Sequence, residues 1–402
     1  MLGRPLIALL IAAALGAGSA SCGARRQSER AQSRDTLYIG VAAARTNVAY
    51  FRGVQLALDR LNAERPSGTP AFAVRLPPLV QASQVAVAVG FRDDASVIGV
   101  VGHTGSAQTM DAAPVYADVA NGGQHAIVAV TPTATNPQVT RVSNWIFRVC
   151  PTDDDAARAL ARFAIDSLRA RRIAIVYRND LFGRGFTQTI APELTASHVV
   201  IDERDPYLAG ITEYQAYASR MAQQGVEAVV FAGSGVDAAD FVRALRDASA
   251  HPAILGSDDV GNILDGAKIL TPNATPAPKT RRGRRAPPPP PQPTDDRRLF
   301  RGVRFTSFFD ARAADIDVRQ FAAEYVRRYG QAATQQAALS YDAAMLIGRA
   351  ALAAGADRRR IRDWIASVGV SAPAMHGVTG EIRFDEHGDA MGKPIVIGLI
   401  SP

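Results

Sequence analysis

Short apolar runs alternate with amphipathic stretches along most of this chain, and the alternation starts afresh after Pro151. Leu37 to Ala42 is an apolar run of strand length. From Arg52 the period changes, and Val54, Ala57, Leu58 and Leu61 fall on one helical face. The same reading predicts a strand near Ala71 to Leu76, a helix over Gln81 to Phe91 and a β-rich run from Ser96 to Val101. A helix over Ala107 to Asn121 then leads to the run Ala126 to Val130. Strands and helices that alternate in this way build mostly parallel sheets.

The second set opens with a helix over Asp153 to Leu168, acidic at its front as the helix dipole favours. Strands are predicted at Ile173 to Tyr177, Val199 to Ile201, Ala228 to Phe231 and Ala253 to Leu255. Helices are predicted between them over Phe186 to Leu194 (despite Pro192), Tyr214 to Gln224 and Asp237 to Ala248. Val303 to Thr306 reads as a strand, and Asp317 to Tyr329, Gln335 to Ala354 and Arg358 to Ser367 as amphipathic helices. The chain ends on Gly380 to Asp385, a turn at Glu386 to Asp389 and the run Pro394 to Ile400, which predicts a closing β-hairpin. A length of 402 residues suits two domains better than one, so the two sets predict two lobes.

Two stretches do not fit either set. Met1 and Arg4 precede the apolar run Leu6 to Leu15, and small residues lead from there to Cys22. The run is short for a membrane span and has the flanks of a secretory signal. Ser19-Ala20-Ser21-Cys22 resembles a bacterial lipoprotein signal with a degenerate lipobox, in which Cys22 would be lipidated. Ordinary signal cleavage, with Cys22 incidental, is the alternative. Residues 1–22 are therefore read as a signal peptide and 23–35 as a flexible tether. Residues 271–298 hold Lys279 to Ala286 and Pro287 to Pro291, a composition that cannot pack a core, and are read as a disordered Pro/Arg-rich insertion.

These stretches explain the charge. The formal net charge is +7. Residues 1–34 carry five Arg against one Glu, and residues 271–298 carry Lys279 and six Arg against two Asp. The rest is close to neutral, which argues against nucleic acid as a partner. Cys150 is the second of two cysteines and reads as a buried free thiol at the end of a strand. Neither cysteine belongs to a metal or redox spacing, and no metal or cofactor is expected.

Parallel α/β sheets present ligand groups at the carboxyl ends of their strands. Two such places are rich in hydroxyls: His103-Thr104-Gly105-Ser106, and Thr131-Pro132-Thr133-Ala134-Thr135-Asn136. Each sets hydroxyls beside free N–H groups at a helix start, which suits a carboxylate, although Ser and Thr also cap helices without any ligand. Gly256-Ser257-Asp258-Asp259 follows a third strand, where Asp258 is either the partner of a ligand ammonium or a cap on the segment from Asn262. Phe182 is either an aromatic cleft wall or a core residue of the following helix. An enzyme is not expected. No Gly-x-Ser-x-Gly elbow occurs, the six histidines are scattered, and His103 reads as a satisfied structural residue. The glycines around Gly183 lack the spacing of a nucleotide loop.

Taken together, the chain resembles the type I periplasmic solute-binding proteins of the branched-chain amino acid (Leu/Ile/Val) ABC transporter family. The resemblance rests on Phe51 to Ala57 with Asn62, Ile98 to Thr109 with Ala129 to Thr135, Arg172 to Gly185, and Tyr341-Asp342-Ala343 with Gly380 to Asp385. It implies an α/β fold of two Rossmann-like lobes with parallel-rich sheets, joined by a three-crossing hinge. Lobe one would be 36–149 and 307–379, and lobe two 150–306 and 380–402. It implies ligand contacts from Ser106, Thr133 and Thr135, with Asp258 where the family usually has Glu, and Phe182 at the family's aromatic position. The implied function is that of a periplasmic, monomeric protein, lipid-anchored if Cys22 is modified. It would capture an amino acid by hinge closure and deliver it to an ABC permease. A ligand-sensing module is the alternative, as is an amide, urea-like solute or aromatic acid as ligand. The first strand–helix loop, Ala43 to Tyr50, is several residues shorter than the family's.

Overall fold

The structure, a computed structural model, describes residues 35–77, 83–210, 212–267, 269–270 and 294–401. The expected signal segment with Cys22, the tether up to Arg34 and the insertion up to Pro293 lie outside the described residues.

The first part of the chain runs β1 (Thr36–Ala42), α1 (Val48–Glu64), β2 (Ala71–Arg75), α2 (Gln84–Asp93), β3 (Val97–Gly102), α3 (Ser106–Tyr116), β4 (Ala129–Thr131) and β5 (Ile146–Arg148). There follow α4 (Asp153–Arg162), β6 (Arg172–Arg178), α5 (Leu181–Ala196), β7 (Val200–Tyr207), α6 (Gln215–Gln224), β8 (Ala228–Ala232), α7 (Gly235–Asp247) and β9 (Ala253–Gly256). Then come β10 (Ile269–Leu270), β11 (Thr294–Asp295), β12 (Arg304–Ser307), α8 (Ile316–Tyr329), α9 (Gln335–Ala354) and α10 (Arg358–Ser367). The last elements are β13 (Met375–Gly377), β14 (Gly380–Ile382) and β15 (Val396–Leu399).

The chain divides into two compact units. Unit 1 holds the described residues up to Thr152 and Phe308–Ile395, and unit 2 holds Asp153–Ser307 and the segment from Val396. The chain therefore passes between the units three times. Unit 1 has a five-stranded sheet in the order β2-β1-β3-β4-β5, parallel throughout. All six residues of β3 are buried, which is why it reads as an unbroken apolar run and not as an alternating one. Helix α9 is apolar and long enough to cross a membrane by length and composition, yet most of it is buried in this unit as a core helix. It packs along α1 at Gly53, where a Cβ would lie 2.0 Å from the Ala337 carbonyl oxygen, so Gly53→Ala would force the two helices apart.

Unit 2 has a six-stranded sheet in the order β15-β12-β9-β8-β6-β7, parallel except for the β12–β15 pair. Its core joins Phe231, Phe241, Tyr207 and Tyr214, with Phe231 and Phe241 stacked at 5.3 Å between centroids. Strand β7 is longer than its apolar start suggests, because Asp202, Glu203 and Asp205 pair with Arg172 and Arg220.

Several expectations need correction. The closing hairpin does not form as a single unit: β14 pairs with β13, and β15 pairs with β12 in the other unit. The turn at Asp385 to Asp389 is real, with Asp385 accepting from the His387 and Asp389 N–H groups, but the chain leaves it for a different sheet. Residues 380–395 belong to unit 1 and not to the second lobe, held there by Lys393 on Thr379 Oγ1 at 2.7 Å and by Phe384 against Phe147. The insertion ends earlier than 298, since Thr294–Asp295 pairs with Ile269–Leu270 and buried Asp296 accepts from Arg243 Nε at 2.6 Å. Helix α1 starts at Val48, ahead of Arg52.

Candidate functional site

The strand order of unit 1 reverses between β1 and β3. Ligands of such sheets sit outside the carboxyl ends of the strands at that reversal. The loops after β3 and β4, on one side of that reversal, are bonded to each other. Thr131 Oγ1 donates to His103 O at 2.6 Å, Thr133 Oγ1 to Thr104 O at 2.8 Å, and the Asn136 N–H to Ser106 Oγ at 3.2 Å. Tyr50, in the first turn of α1, lies with its Oη 2.9 Å from Thr133 Oγ1. Since the Thr133 proton goes to Thr104, Tyr50 is the donor of that bond.

Ser106 opens α3. Its N-cap is Gly105 in extended backbone, and no side chain caps the helix, so the N–H groups of its first turn remain as donors. Thr135 is 3 % exposed, and neither its N–H nor its hydroxyl bonds to another described residue. Unit 1 thus gathers Ser106, Thr133 and Thr135 on one polar face.

His103 is fully buried beside this face. Its Nδ1 lies 2.7 Å from Gln84 Oε1 and its Nε2 lies 2.8 Å from Tyr116 Oη. The amide oxygen only accepts, so Nδ1 carries the proton and Tyr116 donates to Nε2. Burial pushes the imidazole pKa down to about 4, so it is neutral at ordinary pH. Both nitrogens are engaged, as the structural reading of His103 requires.

In unit 2 the strand order reverses between β6 and β8. Asp258 follows β9 and opens the 3₁₀ segment Asp258–Gly266, whose N-cap is Ser257. It is therefore not a cap on a segment starting at Asn262. Its carboxyl is buried and pushed well above the usual carboxylate range, first by burial and then by Asp259 and Asp153. Burial also raises Asp259. Phe182 stands in the first turn of α5 after β6, half-buried. Its ring centroid is 6.1 Å from that of Phe186 and 5.6 Å from the Arg178 guanidinium carbon. The next loop is self-contained: the Asp237 N–H donates to Ser234 Oγ at 3.1 Å, and Ser234 Oγ donates back to Asp237 Oδ2 at 2.6 Å. That reciprocal cap closes the start of α7.

Sequence reasoning missed Tyr50, which was assigned to a loop. Asn47 at the N-cap position is the signal that marks the earlier helix start. Cys150 is a buried thiol in no disulfide among the described residues, with Sγ 3.8 Å from the Ala134 carbonyl oxygen. Among the described residues, Asp315, Asp317 and His376 bring donor atoms within 4.8 Å of one another. Those groups already serve the fold: Asp315 caps α8 and its Oδ2 lies 3.0 Å from His376 Nε2, while Asp317 Oδ1 faces Arg60.

The sequence profile of the family described as periplasmic binding protein matches residues 40–398. The chain belongs to the periplasmic binding protein family. This is a family of solute-binding proteins and not of enzymes, and its members lie outside the cytoplasm. An amino acid binding protein of Pseudomonas aeruginosa is 29 % identical over 231 residues, 55 % of this chain and 60 % of that protein. A Leu/Ile/Val-binding protein of Citrobacter freundii is 25 % identical over 216 residues, 53 % of this chain and 57 % of that protein. The aligned part of the chain thus spans little more than half the length of these relatives. Among solved structures, the LivJ substrate binding protein of Streptococcus pneumoniae, in complex with isoleucine, has a TM-score of 0.73 at 21 % identity and covers 90 % of this chain and 95 % of its own. A solute binding protein of Rhodopseudomonas palustris, in complex with 3,4-dihydroxy benzoic acid, has a TM-score of 0.70 at 16 % identity and covers 91 % of this chain and 93 % of its own. Both share the two-lobed fold of this family member.

Proposed function

We propose that this chain is the solute-binding component of an ABC uptake transporter and that its ligand is an α-amino acid. The observation behind this reading is Thr135, whose N–H and hydroxyl bond to no other described residue and stand beside the uncapped start of α3. Donors converging on one small face without an acceptor suit a carboxylate. Ser106, Thr133 and Thr135 are the residues assigned to it. Asp258 is assigned to the ligand ammonium and Phe182 to the ligand side chain. A cation beside Asp258 would favour its charged form and offset the burial that now disfavours it. The names of the amino acid binding relatives support the same class. Capture by hinge closure, delivery to a membrane permease, a monomeric state and lipid attachment through Cys22 complete the reading. Cys22→Ala tests the last point, since it should release the protein from the membrane fraction.

One observation favours a second ligand class. A carboxyl whose charged form burial disfavours, as at Asp258, also suits an aromatic acid without an ammonium, and the Rhodopseudomonas palustris structure of the same fold holds one. Calorimetry against the standard amino acids, benzoate and 3,4-dihydroxybenzoate separates the two. Binding of an aliphatic amino acid is the expected result. Binding of a benzoate and of no amino acid would overturn the first reading, and binding of neither would overturn both.

A further inference from the structure

Arg148 is fully buried on β5, and its guanidinium reaches into the loop that holds Thr135. Nη1 donates to the carbonyl oxygens of Ala134 at 3.1 Å and of Asn136 at 2.8 Å. Nη2 pairs with Asp389, whose Oδ1 also accepts from Thr140 Oγ1 at 2.7 Å. The ligand reading does not use this residue, and it touches none of the groups assigned to the ligand.

We infer that Arg148 is the positioning residue of Thr135, turning its N–H towards the ligand carboxylate; this rests on the proposed amino-acid reading. In a trans peptide the C=O and the next N–H point in opposite directions. Drawing the Ala134 carbonyl onto the guanidinium therefore turns the Thr135 N–H away from it. The following peptide is held at its other end, where the Asn136 N–H donates to Ser106 Oγ. Both peptide planes that flank Thr135 are thus anchored, one by Arg148 and one by Ser106. The next plane is anchored by Arg148 again, through the Asn136 carbonyl. A charge-assisted bond at the Ala134 oxygen also polarises that peptide and makes its N–H a stronger donor.

The energetics point the same way. A buried ion pair is costly to desolvate, and an apolar side chain of similar size would often stabilise the fold as well. Asp389 neutralises the charge of Arg148, so what the guanidinium adds at the loop is direction. A lysine would keep the charge and lose the fork that reaches two carbonyls and a carboxylate together.

Arg358 provides the control. It is also buried, and it donates to the carbonyls of Val97, Arg92, His125, Phe91 and Asp94, well away from residues 131–136 in sequence and contacts. The experiment compares Arg148→Lys, Asp389→Asn and Arg358→Lys in the full chain. It uses hydrogen exchange of segment 131–136 without ligand and calorimetry with L-leucine. Arg148→Lys and Asp389→Asn should speed exchange of the Ala134 and Asn136 amides and weaken L-leucine by about tenfold or more. Arg358→Lys should lower the melting temperature while leaving that segment's exchange unchanged and leucine binding within about twofold. Asp389→Asn keeps the question answerable where Arg148→Lys does not fold. The inference is overturned when segment 131–136 exchanges at the wild-type rate in both loop variants, or when Arg358→Lys loses as much affinity as they do. A wild-type protein that binds none of the standard amino acids removes the amino-acid reading, and the exchange data alone then decide the role of Arg148.

Discussion

The two units have sheets of one topology and opposite chemistry at the same edge. In each, the first strand lies second in the sheet and the second strand lies at its edge: β2-β1-β3-β4 in unit 1, β7-β6-β8-β9 in unit 2. The loops after β3 and β8 therefore correspond, as do those after β4 and β9. After β3 the helix start is uncapped and Ser106 turns to Asn136. After β8 the helix start is closed by its own Ser234 and Asp237. After β4 stand Thr133 and Thr135, neutral donors. After β9 stand the buried Asp258 and the half-buried Asp259, acids held above their usual pKa. A helix start capped by its own Ser234 hydroxyl, with the Asp237 carboxylate in its first turn, leaves less for an external anion than one without a cap. The lesson is that one topology carries an uncapped helix start in one unit and a self-capped one in the other, and under the proposed function that difference sets which end of the ligand each edge would receive.

The sharpest way to break this comparison is at Asp258. Asp258→Asn should cost L-leucine about a hundredfold in affinity, because a buried charged partner is lost, while leaving benzoate unchanged. Unchanged leucine affinity would remove Asp258 from the site. The same residue sets a pH dependence. Its carboxyl binds a proton more tightly than usual, and an ammonium favours the deprotonated form, so leucine affinity should fall on acidification, beginning above the ordinary carboxylate range. Proton release on leucine binding, read from calorimetry in buffers of different ionisation heat, checks the sign.

Unit 1 should titrate differently. His103 is held down at about 4 from a reference of 6.5, so between these values the unfolded chain binds the extra proton. Stability should therefore fall with pH across that window, by roughly 3 kcal/mol in all. Urea unfolding from pH 7 to pH 4 measures it, and His103→Gln should flatten the slope. A slope that survives the substitution would assign the acid limb to other groups.

Smaller effects test the paired loops. Thr135→Val keeps the shape and removes one donor, and should weaken leucine by about tenfold. Ser234→Ala, at the corresponding helix start of unit 2, should leave leucine within about twofold and lower unfolding stability by about 1 kcal/mol. Equal losses of affinity in the two variants would erase the distinction between a ligand-facing edge and a self-capped one.

Much of this was legible in the sequence because it depends on local period. The strand–helix alternation, the restart after Pro151 and the hydroxyl-rich loops at Ser106 and Thr135 follow from short-range patterns that any fold must respect. The apolar runs at Val97 and Ile173 read as buried strands, and the order of the elements predicts parallel sheets. What local pattern cannot contain is a partner far along the chain. The final strand pairs with β12 and not with the strand before it, because Lys393 and Asp389 hold the preceding turn in unit 1. The charged length of β7 depends on arginines from other elements. Tyr50 meets Thr133 across 83 residues, and Arg148 meets Asp389 across 241. Sequence by itself determined which residues are able to hold a carboxylate. Tertiary structure decided that the donors of Thr135 meet no other described residue while the carbonyls on either side are anchored, because only long-range hydrogen bonds fix the direction of a loop peptide.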